Sequence, residues 1–274
     1  MIHLSMSHVR TVARALCLAL MIHPVPGTAQ VPEVNGTTPL DSVKSFSAHG
    51  NAAAMLELGQ RLIHGKGVAA DPMEGLSWLQ RSADAGNHDA WYAIGVVHAN
   101  GIGVPTDIPK AVTFFEKGAR LGNADCQTSM GMMYQAGDRI PSGVKADLVA
   151  ARKWYRMAAE QKHEEAILHL GQLMMFGQGG DPDPAEGAHW FRVGAELGSA
   201  ESQWSLGQCY LQGKGVTADS VQAYALFSAA VAGVENPEQK KGMGERCDKL
   251  GTCLSPQQLA EGLRLASEWK ARRH

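Results

Sequence analysis

Residues 206–227 read LGQCYLQGKGVTADSVQAYALF, and the glycine at Gly207 recurs upstream at Gly59, Gly95, Gly131 and Gly171. The gaps, from the first glycine to the last, are 36, 36, 40 and 36 residues. A period of roughly 20–50 residues is the mark of a stacked-repeat array, in which each unit buries its apolar face only against its neighbours. The residue before each glycine is apolar: Leu58, Ile94, Met130, Leu170 and Leu206. Five positions before it the residue is small, and three after it stand Leu62, His98, Tyr134, Met174 and Tyr210. These offsets predict one apolar stripe on a helix of about 13 residues. A glycine inside a helix costs roughly 1 kcal/mol against alanine. Five of them in register imply close approach of a second helix.

Six residues after each of these positions comes another glycine: Gly65, Gly101, Gly137, Gly177 and Gly213. It marks the end of the first helix, where glycine takes the left-handed conformation without a Cβ clash. An acid then stands at Asp71, Asp107, Asp183 and Asp219, and at Asp147 after four extra residues in the third unit. An aspartate ahead of an apolar-periodic stretch is a helix N-cap, and Pro72 and Pro184 fall at the first helical position, where proline is tolerated. Capping therefore accounts for these five carboxylates better than metal binding or acid–base chemistry. The second helix carries a small residue at Gly75, Ala111, Ala151, Gly187 and Ala223. Bulky pairs follow at Trp78-Leu79, Phe114-Phe115, Trp154-Tyr155, Trp190-Phe191 and Leu226-Phe227. Small against large at fixed spacing predicts interlocking helices, with the aromatics in the core.

The pattern Leu-Gly-x-x-Tyr, Gly-x-Gly-Val, Asp, Ala resembles the Sel-1-like repeat, a relative of the tetratricopeptide repeat. The fifth unit carries it as Leu206-Gly207, Tyr210, Gly213-Lys214-Gly215-Val216, Asp219 and Ala223. The third unit departs by its longer loop around Asp138 to Ser142, and by Lys162 in place of a terminal glycine. The resemblance implies an all-α fold, a right-handed α/α superhelix (solenoid) of about five helix-turn-helix repeats with capping helices. Such solenoids present an extended concave binding surface. By analogy it would carry Tyr92, Val96, Met132, Gln135, Gln172, Met175, Trp204 and Gln208. That mix of aromatic, methionine and amide side chains suits a protein or peptide segment. Tyr92 and Trp204 could equally be buried between helices. The longer third loop is a second candidate contact.

The ends set the organisation. Arg10 and Arg14 precede a short apolar run from Ala15 to Ile22, then Pro24, Pro26 and the small residues Gly27-Thr28-Ala29. This order resembles a secretory signal, so we expect residues 1–29 to be a cleaved signal peptide and the mature chain to be periplasmic or secreted. The apolar run is far shorter than the ~20 residues of a membrane span, and no membrane span is expected in the mature chain. Residues 30–38 read as a flexible lead-in, 39–49 as an N-terminal capping helix and 50–235 as five repeats. Residues 236–274 read as C-terminal capping helices over 237–249 and 256–271.

The formal net charge is −2, from 25 Lys and Arg against 27 Asp and Glu. A general nucleic-acid binder needs a basic patch, so no nucleic-acid partner is expected. Cys126 and Cys209 occupy small-hydrophobe slots inside first helices. Cys247 and Cys253 bracket a turn between predicted helices and could close a disulfide in an oxidising compartment. No catalytic residue, metal site or cofactor is expected. Gly65-Lys66-Gly67 and Gly213-Lys214-Gly215 lack the spacing of a phosphate loop, and the histidines fall at different repeat offsets. The resemblance implies a scaffold or adaptor of the bacterial envelope that binds a protein, a secreted toxin being one such partner, and a monomer is expected. The alternative is a weak cell-wall hydrolase of the β-lactamase-like kind described for cysteine-rich relatives, whose Cys pair in each repeat this chain lacks.

Overall fold

The computed structural model describes residues 34–272. Thirteen α-helices and one 3-10 turn (Gly137–Arg139) make up its regular structure, and no strand occurs among the described residues. The chain forms two compact units, one of residues up to 130 with 138–144, the other of residues 131–137 with 145 onward.

The first unit holds α1 (Leu40–Ala48), α2 (Ala52–His64), α3 (Pro72–Asp84), α4 (Asp89–Asn100) and α5 (Ile108–Arg120). It also takes the N-terminal half of α6 (Ala124–Ala136). Each hairpin is set by local chemistry. The Asp71 carboxylate accepts the Glu74 N–H at 3.0 Å, and Asp107 accepts that of Lys110 at 2.9 Å. The first helix of the pair stops at Gly65, whose φ of 67° is left-handed. The helices then meet at their small residues: a Cβ on Gly59 would stand 2.8 Å from Leu79 Cδ2 and 2.9 Å from the Gly75 carbonyl oxygen.

Residues 34–38 depart from a flexible lead-in. Val34 is buried with Val43, Ala54, Leu58 and Leu62. Arg61, buried and paired to Glu57 at 2.6 Å, donates to the carbonyls of Asn35 and Gly36 at 3.2 Å and of Thr38 at 2.7 Å. A five-donor planar guanidinium suits this clamp in a way that an ammonium does not.

The second unit continues with α7 (Leu148–Glu160), α8 (Glu164–Phe176), α9 (Pro184–Glu196), α10 (Ala200–Gln212) and α11 (Ser220–Gly233). Asp147, Asp183 and Asp219 cap α7, α9 and α11 as the spacing predicts. A Cβ on Gly171 would stand 2.6 Å from the Phe191 ring, and one on Gly207 would stand 2.7 Å from that of Phe227. Of each bulky pair the second member is the core residue: Leu79, Phe115, Tyr155, Phe191 and Phe227 are all buried. The first is half-buried in four units; Trp78 and Trp190 turn their Nε1–H outward to Glu74 and Glu186. Two further helices, α12 (Pro237–Gly251) and α13 (Pro256–Ala271), close the unit. α13 starts with the expected capping box of Ser255 and Gln258 and presses Gly262 against Tyr224 of α11, where a Cβ would be 2.8 Å from the ring.

Candidate functional site

Within each unit, side chains of two successive first helices line a groove. In the first unit Gln60, Ile63 and His64 of α2 stand opposite Tyr92 and Val96 of α4, in a shallow groove of about 20 Å³. In the second unit the groove is larger, about 440 Å³, within the range of roughly 300–1,000 Å³ usual for ligand sites. Leu168 and Gln172 of α8 form one wall, and Glu201, Trp204 and Ser205 of α10 the next. Gln60 and Gln172 occupy the same repeat position, one after the recurring glycine. Tyr92 and Trp204 both lie three before it. In both places the groove is built from position +1 of one first helix and position −3 of the next.

Four of the eight candidate partner-binding residues line these grooves: Tyr92 and Val96 share one wall in the first unit, and Gln172 and Trp204 stand on facing helices in the second. Trp204 is half-buried, its ring centroid 4.2 Å from that of Phe227. One side of it packs on the core while the residue as a whole lines the groove. Tyr92 leans on Phe115 at 5.9 Å in the same manner. Gln208 is exposed on α10, and Met132 is half-buried on α6. Gln135 is engaged internally, its Oε1 accepting the Tyr155 hydroxyl at 2.7 Å. Met175 is corrected: it is 4% exposed and packs with Ala188, Phe191 and Leu206. It sits on the core side of α8, three residues round from Gln172.

The third wall of the larger groove was not legible as a site. It comes from Val234 and from Glu238, Gln239, Gly242, Met243 and Arg246 on α12. The signal that could have revealed it is a pair of helix glycines, Gly242 and Gly244, outside the repeat period.

The cysteines and the longer third loop have these surroundings. Cys247 and Cys253, the pair that could close a disulfide, are both free thiols in this structure. Cys247 is turned into the core beside Ala223 and Phe227, whereas the exposed Cys253 donates to the Lys249 carbonyl at 3.5 Å. Burial pushes the Cys126 thiol well above its ordinary pKa and that of Cys209 up to about 11, in keeping with packed thiols rather than nucleophiles. In the longer third loop Ser142 is buried and its Oγ accepts the Val144 N–H at 3.2 Å. Among the described residues no group of three or more His, Cys, Asp or Glu is placed to hold a metal ion. No described helix is long and apolar enough to cross a membrane. Residues 1–29, read as a signal peptide, lie outside the described residues.

These features define an all-α repeat solenoid. The Sel1 repeat model matches residues 52–87, 88–123, 124–163, 164–199 and 200–233. The chain belongs to the Sel1 repeat family. It is similar to a Sel1 repeat protein from Oxalobacter formigenes at 26% identity, over 84% of this chain and 99% of that one, with a TM-score of 0.66. It is also similar to a protective antigen of uropathogenic Escherichia coli displaying an SLR fold. That match has 24% identity and a TM-score of 0.53, over 85% of this chain and 56% of the other. An immunity protein from Pseudomonas aeruginosa matches more remotely, at 17% identity and a TM-score of 0.45 over 97% of this chain and 84% of its own. No curated protein matches the sequence. The Sel1 repeat fold is generally a scaffold for protein–protein interaction and typically non-enzymatic.

Proposed function

We propose that this protein is an exported adaptor of the bacterial envelope, holding a protein or peptide segment on the faces formed by successive first helices. The observation that carries the reading is the pairing of Gln172 with Trp204 across a groove of about 440 Å³. An aromatic anchor beside uncommitted amides is the composition of a protein-binding site, where aromatic residues carry much of the energy. Holding a segment there needs shape and hydrogen bonding, with no bond made or broken. Export rests on the order of Arg10, Arg14, the apolar run Ala15 to Ile22 and the small residues before Gln30.

The test is affinity capture with tagged chain from its own periplasmic fraction, read by mass spectrometry. One dominant protein, released by Gln172→Ala and Trp204→Ala, supports the adaptor reading, and its identity separates an assembly partner from a secreted toxin. Capture that neither substitution affects rejects the groove as the binding face. Retention of residues 1–29 on the purified periplasmic chain rejects cleavage at Ala29.

A further inference from the structure

The third wall of the larger groove carries enough chemistry to describe its occupant. Glu238, Gln239, Gly242, Met243 and Arg246 of α12 line it. They stand at i, i+1, i+4, i+5 and i+8, which share one face of a helix. Glu201 and Trp204 line it from α10. The side chains of Glu201, Glu238 and Arg246 make no hydrogen bond or ion pair with other described residues. Two uncommitted carboxylates and one uncommitted guanidinium thus face the same space.

Gly242 supplies a second observation. Gly59, Gly131, Gly171 and Gly207 each lie against a neighbouring side chain that a Cβ would strike. A Cβ on Gly242 would meet nothing within 4 Å. Glycine weakens a helix, and the chain's own packing gives no reason for one here. An open, side-chain-free strip between Glu238 and Arg246 is where a foreign backbone can approach closely.

Spacing fixes the rest. Glu238 and Arg246 stand eight positions apart on the helix, about 12 Å at a rise of about 1.5 Å per residue. An extended chain rises about 3.3 Å per residue, so about three or four residues span the same distance. We propose that this groove holds an extended polypeptide segment whose backbone crosses Gly242. Its Lys or Arg side chain meets Glu201 and Glu238, and an Asp or Glu about three or four positions away meets Arg246. The Trp204 indole beside the acidic end adds a cation–π surface for the basic side chain. The proposal rests on the protein-binding reading above and makes it specific.

The test is an immobilised array of nonapeptides, each with one Lys and one Glu at separations from one to six, probed with the full chain. Binding is expected to peak at a separation of three or four. It should fall about tenfold or more in Gly242→Ala and stay unchanged in Gly244→Ala. Gly244 also faces open space but does not line the groove, so both variants should raise Tm while only the first loses peptide. Arg246→Glu should shift the preference to peptides with two basic residues. Absence of any bound peptide, no dependence on separation, or Gly242→Ala binding like the parent would overturn the proposal. If the captured protein still depends on Trp204 while the array stays blank, this occupant is wrong and the adaptor reading stands. If that dependence is also absent, both fail.

Discussion

Gly131 lies against the ring of Tyr155, so that a Cβ added to the glycine would stand 2.6 Å from Tyr155 Cε1. The ring is fully buried, stacked on His169 with centroids 5.0 Å apart and tied by its hydroxyl to Gln135. It has no room to retreat. The same small-on-large contact recurs between Gly171 and Phe191 and between Gly207 and Phe227, which explains why the repeat keeps a helix-weakening residue.

Gly131→Ala therefore tests packing against propensity. Alanine gains about 1 kcal/mol as a helix former, but overfilling a packed site costs about 1–3 kcal/mol. A net loss of stability is expected, seen as a lower urea midpoint. A higher midpoint would show that the interlock is not tight.

Lys162 makes the converse case. Its φ is 66°, the one positive value at a non-glycine among the described residues. Its counterparts Gly86, Gly122 and Gly198 all take positive φ as glycines. A left-handed L-residue costs roughly 1–2 kcal/mol, partly offset by the extra unfolded-state freedom of glycine. Lys162→Gly should stabilise by about 0.5–1 kcal/mol, measured as a rise in Tm. A fall would contradict the strain argument.

Arg61 and Glu57 form a buried pair whose guanidinium also holds three backbone carbonyls. Removing one partner of such a pair costs about 3–5 kcal/mol. Arg61→Met should cost that much and speed hydrogen exchange at residues 35–38 above the rest of the first unit. Exchange unchanged at those residues would remove the clamp from the account.

His169 sets a pH dependence. Burial, and then the nearby charge of His163, lowers its pKa to about 4. The folded state resists protonation while the unfolded chain accepts it near pH 6.5. The stability contributed is complete above that value and is lost as pH falls towards 4. By pH 5 the loss is about 2 kcal/mol. His169→Phe keeps a ring over Tyr155 and should flatten the urea midpoint between pH 7 and pH 5 relative to the parent. An equally steep fall in the variant would assign the titration elsewhere.

What was legible in the sequence follows from how local each cause is. An aspartate cap needs only the next three residues, and all five caps form where the spacing places them. The left-handed glycines and the interlock with the second helix are set within one repeat. The face of a first helix is harder, because it depends on the neighbours on either side. Met175 and Gln172 are three residues apart, yet one is core and the other lines a groove. Gln135 shares the offset of Ile63, but Tyr155 replaces Leu79 in its repeat and its hydroxyl recruits the amide. The wall of Glu238 to Arg246 lies outside the period altogether, so no repeat comparison could place it. Cys247 and Cys253 are close in sequence, but α12 turns Cys247 inward while Cys253, past the helix end, is exposed.

The most direct measurement of the central claim is affinity capture with the parent chain and two groove variants, Gln172→Ala and Trp204→Ala, quantified by mass spectrometry beside a circular-dichroism spectrum of each. Gln172 makes no side-chain hydrogen bond with other described residues, so its truncation should change stability by less than about 0.5 kcal/mol. Trp204 packs on Phe227, so its variant needs the spectrum to show an intact fold. One dominant protein partner is expected, reduced by Gln172→Ala and lost in a folded Trp204→Ala. A partner retained at parental level by both folded variants would contradict it.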